Sequence, residues 1–297
     1  MFVFLVCSVM QFIAVDSDSQ TVLLTAVMKG SKMIFAPLCF LFCWMLPVDS
    51  MTIRFNFTVR DFNPTIPLSM VEDSVDDMYF GCNTKMMKTV KDKYFEEERH
   101  IQPFSEAWKN TEKCAQKNLK HSEDKALTKE HMQAICAYTA DSLYWQFNEA
   151  VREQGHLYGS SQFQFHTLHF WLTSAIQILN SNYNCHNTYR RTSVKFTGKV
   201  NQIIRFGFFA SSSYRTDLTN FGSETCFKIK TCSGAYLKNY SFFGDKEAEV
   251  LIPPYEVFNI TEIINGQVKI QGLTDCKAVY VLESVGVKSS LNCKLAL

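Results

Sequence analysis

The hydrophobic positions fall into two textures. From residue 86 to about 148 they recur every three or four places, and Met132, Cys136, Ala140, Leu143, Phe147 and Val151 make one stripe. This predicts a long amphipathic helix, punctuated at its end by Gly155 and Gly159. A second helix is predicted behind Ser161-x-x-Gln164, a capping-box spacing, with Phe165, Leu168, Leu172, Ile176 and Leu179 on one face. After Asn180 the period shortens to two. Runs at 194–200, 203–210, 225–231, 250–257, 267–271 and 278–283, divided by Gly, Asn, Ser and Pro, predict short strands. Helices first and strands afterwards predict an α+β architecture: one domain with a mainly helical part (51–180) packed on a mainly antiparallel β part (181–297). Ahead of the helices, residues 51–80 alternate weakly and turn acidic at Glu72, Asp73, Asp76 and Asp77, which predicts an extended, mostly exposed segment.

Composition narrows the class. With 46% hydrophobic residues and 25 Phe in 297, the chain can bury a thick aromatic core. Lys and Arg (30) balance Asp and Glu (29), which argues against a nucleic-acid partner held through its phosphates. No Gly-rich dinucleotide or P-loop motif occurs. Of 11 Cys, Cys7, Cys39 and Cys43 lie in the first fifty residues. The other eight, without a C-x-x-C pair, read as disulfides of an oxidising compartment, in any of 105 pairings. Residues 1–50 read as a leader, because Lys29 and Lys32 precede Met33 and the apolar run 34–46 in signal-peptide order. Met33 is thus a second candidate start, with cleavage expected near 48–50. That run is too short to span a membrane, residues 291–297 carry no lipid-anchor signal, and a secreted chain, or part of a longer one, is expected. Sequons at Asn56, Asn239 and Asn259 agree with secretion.

Candidate chemistry lies in residues 240–258. Glu247 and Glu249 stand at the mouth of an apolar run read as a buried strand, whose i and i+2 side chains share a face about 7 Å apart. Gly244 and the aromatics before it predict a loop leading in, and Pro253-Pro254 ends the strand. His166 and His169, at i and i+3, lack an acidic or Cys partner at metal-ligand spacing and are read as ordinary helix histidines.

With Tyr189-Arg190 and Phe209-Ala210-Ser211-Ser212-Ser213 upstream in that order, the string E-A-E-V-L-I-P-P-Y-E closely resembles the Arg, Ser, E-x-E signature of vertebrate ecto-mono-ADP-ribosyltransferases. The likeness spans roughly residues 75–295. It implies the ADP-ribosyltransferase fold with two β sheets, and transfer of one ADP-ribose from NAD or NADP to arginine side chains of extracellular proteins, with no metal. It implies that Glu249 stabilises the cation developing on the nicotinamide ribose and that Glu247 handles the arginine acceptor. Arg190, following Tyr189, would hold NAD near its phosphates, and Ser211 would set the geometry of Glu249 and the ribose. Phe242 and Phe243 would lie in the loop facing the acceptor, although two adjacent aromatics taken alone are expected in the core. Arg205 and Phe206 would belong to the scaffold of the serine strand. The resemblance also implies bridges Cys82–Cys293 and Cys185–Cys232; for the other four cysteines Cys226–Cys276 and Cys114–Cys136 are expected.

The residue types suit that chemistry. Cleaving nicotinamide from ribose leaves positive charge that a carboxylate stabilises, and a diphosphate suits the planar donors of Arg. A guanidinium acceptor, with a pKa above about 12, needs a second carboxylate to orient or deprotonate it. One departure is Arg191, where the family commonly has Gly: a bulky side chain there is expected to weaken NAD binding or to favour water as acceptor. An NAD glycohydrolase, and a catalytically silent binding protein on the same fold, are the alternative readings.

Overall fold

The structure, a computed structural model, describes residues 65–296 except 141. The expected leader, the start at Met33, the weakly alternating run and the sequon at Asn56 lie outside the described residues. In chain order the elements are β1 (Thr65–Pro67), α1 (Asn83–Thr89), a π turn (Val90–Tyr94), α2 (Phe95–Glu98), α3 (Phe104–Asn110), α4 (Glu112–Lys120), α5 (Lys129–Thr139), α6 (Tyr144–Glu153) and α7 (His166–Leu179). The strands β2 (His186–Thr192), β3 (Lys195–Thr197), β4 (Ile203–Ile204), β5 (Ala210–Ser213), β6 (Thr225–Thr231), β7 (Ala235–Tyr236), β8 (Glu249–Ile252), β9 (Glu256–Asn265) and β10 (Ala278–Val287) follow.

The predicted helical stripe is buried, but on two helices rather than one. The break comes at Ala140, which is extended (φ −81°, ψ 149°). Beside it the Thr139 hydroxyl donates to Ile135 O and accepts the N–H of Phe242, each at 2.8 Å, and so ties the helix end to the loop before the glutamates. Helix α7 starts without help from Ser161. The Glu98 carboxylate accepts the N–H groups of His166 and Thr167 at 2.7 and 2.9 Å, meeting two donors that no helix can satisfy internally. His166 and His169 are buried, with ring nitrogens engaged by Glu98 and Tyr158 O in the first case and by Tyr79 and Val75 O in the second. Burial lowers the pKa of His169 to about 3 and keeps it neutral.

Among the described residues, eight strands run in the order β4-β9-β10-β6-β2-β5-β8-β7, and β1 and β3 form a separate parallel pair. In the larger sheet only β10 and β6 are parallel. β2 registers with β6 along its whole length, whereas β2 and β5 meet at a single pair, Tyr189 with Ser213. That seam divides the strands into a part ending at β2 and a part made of β5, β8 and β7, joined into one continuous sheet by this single pair. Pro253 and Pro254 split the 250–257 run into β8 and β9, and the 203–210 run is likewise two strands, β4 and β5. The 267–271 run is a loop between Gly266 and Gly272, both at positive φ. β2 was not expected at all. Of the remaining sequons, Asn239 is exposed and Asn259 lies between β4 and β10.

Asp76 and Asp77, expected to be exposed, are fully buried. Asp76 pairs with Arg205 at 2.6 Å, both side chains 0% exposed, and accepts N–H groups of Ser290 and Leu291 at 2.9 Å. Asp77 accepts those of Tyr79 and Cys293. Arg205 donates further to Val71 O and Lys288 O. Buried charge persists only with such partners. Among the described residues the disulfides are Cys82–Cys293, Cys114–Cys136, Cys185–Cys232 and Cys226–Cys276, the four expected pairs. Arg205→Ala leaves the Asp76 carboxylate buried without its cation and should cost on the order of 3–5 kcal/mol. Chemical denaturation reads this as a lower midpoint, and an unchanged midpoint would show that the pair does not hold these segments together.

Candidate active site

Three neighbouring strands gather the predicted residues. β5 and β8 pair with Ser213 opposite Glu249 and Ser211 opposite Leu251. Ser211 and Glu249 are therefore diagonal neighbours, roughly 7–8 Å apart at Cα. Across the seam, Arg190 of β2 donates through Nη1 to the carbonyl of Ser211. All three are buried, Glu249 at 3% exposure. The Arg190 guanidinium lies over the Phe208 ring, 6.0 Å from its centroid. Such an apolar flank excludes water and strengthens the pull of the cation on an anion.

Two side chains from the helices complete this centre, and sequence reasoning missed both. Tyr138 of α5 donates its hydroxyl proton to Phe209 O at 2.6 Å and lies 3.4 Å from Ser211 Oγ. Asn148 of α6 donates to the Tyr138 oxygen and to Phe209 O, both at 3.1 Å, and accepts the Phe209 N–H at 3.2 Å. With its own proton committed, Tyr138 can only accept from Ser211, which gives that hydroxyl a preferred direction. Burial raises the Tyr138 pKa, and the Glu249 carboxylate adds to the effect, so the phenol stays neutral. The only signal in the sequence was a polar tip inside the buried stretch Ala137-Tyr138-Thr139.

Glu247 lies outside β8 and is half-buried. Between the two glutamates Ala248 has φ 44°, a left-handed conformation. The strand alternation expected to put both carboxylates on one face does not reach Glu247, because β8 begins only at Glu249. Phe242 is 43% exposed and meets Phe243 edge to face at 5.1 Å, so it belongs to the loop rather than the core.

Tyr189 points from the other face of β2 to Arg190 and packs against the cluster of Cys226, Val268, Leu273, Cys276 and Val279. Arg191 shares that face. It grips both oxygens of Asp275 at 2.8 and 2.9 Å and donates to Thr216 O and Gly272 O at 2.9 and 2.7 Å. The bulk anticipated against the ligand is turned away from Arg190 and Ser211. Among the described residues no three His, Cys, Asp or Glu are grouped to hold a metal ion.

A family model described as NAD:arginine ADP-ribosyltransferase matches residues 68–275. NAD(P)(+)--arginine ADP-ribosyltransferase 2 of Gallus gallus is 36% identical over 238 residues, covering 78% of this chain and 73% of that protein. GPI-linked NAD(P)(+)--arginine ADP-ribosyltransferase 1 of Mus musculus is 35% identical, covering 78% and 74%. Among solved structures, a mutant of the eucaryotic mono-ADP-ribosyltransferase ART2.2 in complex with NADH is similar at TM-score 0.66 and 32% identity, over 77% of this chain and 98% of that one. The matched span takes in Arg190, Ser211, Glu247 and Glu249 together with the helices that bring Tyr138 and Asn148, and the chain belongs to the NAD:arginine ADP-ribosyltransferase family.

Proposed function

We propose that the chain binds NAD at the seam between β2 and β5 and transfers its ADP-ribose to arginine side chains of extracellular proteins, releasing nicotinamide. The observation that supports this best is the meeting at one seam of a buried guanidinium, a serine and a buried carboxylate, with a half-buried carboxylate two residues upstream. Arg190 meets the negative charge of NAD near its phosphates. Glu249 bonds a hydroxyl of the nicotinamide ribose and stabilises the cation as the bond from C1 to the nicotinamide nitrogen breaks, the electron pair leaving with nicotinamide. A guanidino nitrogen of the acceptor then bonds to C1, and its proton passes to Glu247 and on to water. Ser211, directed by Tyr138, sets the geometry of Glu249 and the ribose. The geometry gives no support to a direct NAD contact from Tyr189, whose side chain packs on the far face and whose backbone lies between β5 and β6.

Four disulfides, and relatives named as GPI-linked or ecto-enzymes, support an extracellular setting with protein acceptors. No described helix is long and apolar enough to cross a membrane. Because Arg191 faces away from the seam, it gives no support to hydrolysis over transfer.

Labelled NAD and a small guanidino acceptor test the two glutamates. Glu249→Gln should lower both nicotinamide release and adduct by about 10²–10³-fold. Glu247→Gln should lose adduct while retaining nicotinamide release. Wild-type rates in Glu249→Gln would overturn the mechanism. Tyr138→Phe removes the acceptor of the Ser211 hydroxyl, and should lower stability by about 1–2 kcal/mol and slow nicotinamide release. A denaturant titration beside the same assay checks this, and a lower midpoint with an unchanged rate would make Tyr138 a structural residue only.

A further inference from the structure

Three consecutive carbonyls of the turn that carries Glu247 accept hydrogen bonds from three consecutive residues at the end of β5. Arg215 Nη1 donates to Lys246 O at 2.6 Å, Ser213 Oγ to Glu247 O, and the Tyr214 N–H to Ala248 O at 3.2 Å. The match matters because Ala248 holds φ 44°, which a residue with a Cβ adopts only where its surroundings enforce it. The turn closes on itself through the Ala248 N–H to Asp245 O at 3.2 Å, and the three outside donors hold it in place.

Among these donors Arg215 is the adjustable one. Ser213 is buried in the β5–β8 ladder and Tyr214 contributes only its backbone. The Arg215 side chain is 44% exposed, and Asp217 aims its guanidinium by accepting from Nε and Nη2 at 2.9 and 2.8 Å. That fork leaves Nη1 for Lys246 O. The Asp217 hydrogen bond, followed by the charges of Asp217 and Glu247, raises the Arg215 pKa, so the Glu247 carboxylate is within electrostatic reach.

We propose that Arg215 is a positioning residue for the acceptor: aimed by Asp217, it fixes the 246–248 turn so that Glu247 presents its carboxylate to the incoming guanidinium, and so sets transfer against hydrolysis. The proposal rests on the transferase reading of the same site. Glu249 is held by the ladder and Arg190 by the seam, neither through Arg215. Cleavage of the nicotinamide bond therefore survives the loss of Arg215. Attack by a guanidinium needs orientation that water does not, and suffers.

The test uses purified wild type, Arg215→Ala, Arg215→Lys and Asp217→Asn with labelled NAD and a small guanidino acceptor, measuring adduct, free ADP-ribose and nicotinamide, with KM for both substrates. In Arg215→Ala the ratio of adduct to free ADP-ribose should fall about ten- to a hundredfold, with nicotinamide release within a few-fold of wild type and KM for NAD unchanged. Arg215→Lys should recover part of the ratio, since an ammonium reaches Lys246 O but cannot fork onto Asp217. Asp217→Asn should lie between the two. An unchanged ratio in Arg215→Ala would overturn the proposal, as would adduct and nicotinamide release falling together, the mark of a merely structural role. Wild-type protein that consumes NAD but forms no adduct would instead retire the transferase reading itself.

Discussion

The seam between β2 and β5 governs the rest of the molecule. Strands that pair along their length satisfy one another's backbone, but these two register at one pair only. A buried carbonyl beside such a gap needs another donor, because leaving it unmet costs about 1–3 kcal/mol. The side chains that answer this need are those of the site: Arg190 takes Ser211 O, and Tyr138 with Asn148 takes Phe209 O. The interruption in the ladder and the polar groups proposed to hold NAD thus have one origin.

Keeping strands apart requires firm ground on both sides. Behind β2, Arg191 fastens the loops at Thr216 and Gly272 to the strand, and Cys226–Cys276 ties β6 to the same region. Ahead of β5, Arg205 and Asp76 lock the segments at Met70–Val71 and Lys288–Leu291 together, with Cys82–Cys293 closing a separation of 211 residues. A buried ion pair is weak as a source of net stability but strict about geometry, since either partner alone is expensive to bury. Fixed ends keep β5 in register with β8, and hence Ser211 beside Glu249.

What the sequence revealed and what it hid follow the same division. β6 and β10 carry apolar alternation against the core, and hydrophobic patterning finds them. β2, His-Asn-Thr-Tyr-Arg-Arg-Thr, has almost none, yet Thr188, Arg190, Arg191 and Thr192 are all buried. β5 is Ala-Ser-Ser-Ser and wholly buried. Arg190, Arg191 and the serines of β5 become buried because they bond to groups supplied from distant parts of the chain, and those partners leave no periodic trace. Asp76 and Asp77 were misread for that reason, and Tyr138 was missed. The motif residues were legible only through their order along the chain, an imprint of chemistry rather than of packing.

The two glutamates also divide by what each must face. In the proposed mechanism Glu249 acts on the sugar of a bound dinucleotide, and burial in a ladder suits that role, since low dielectric and fixed geometry both strengthen stabilisation of developing charge. In the same proposal Glu247 meets a guanidinium on another protein, and a fully buried position would shut that partner out. A half-exposed turn solves the access problem but surrenders the rigidity of a strand, so its order has to come from neighbours. On that proposal, acceptor choice is open to change at residues 213–217 and 241–248, on or beside the loop. The chemistry of cleavage stays with β2, β5 and β8, where any change disturbs the seam itself.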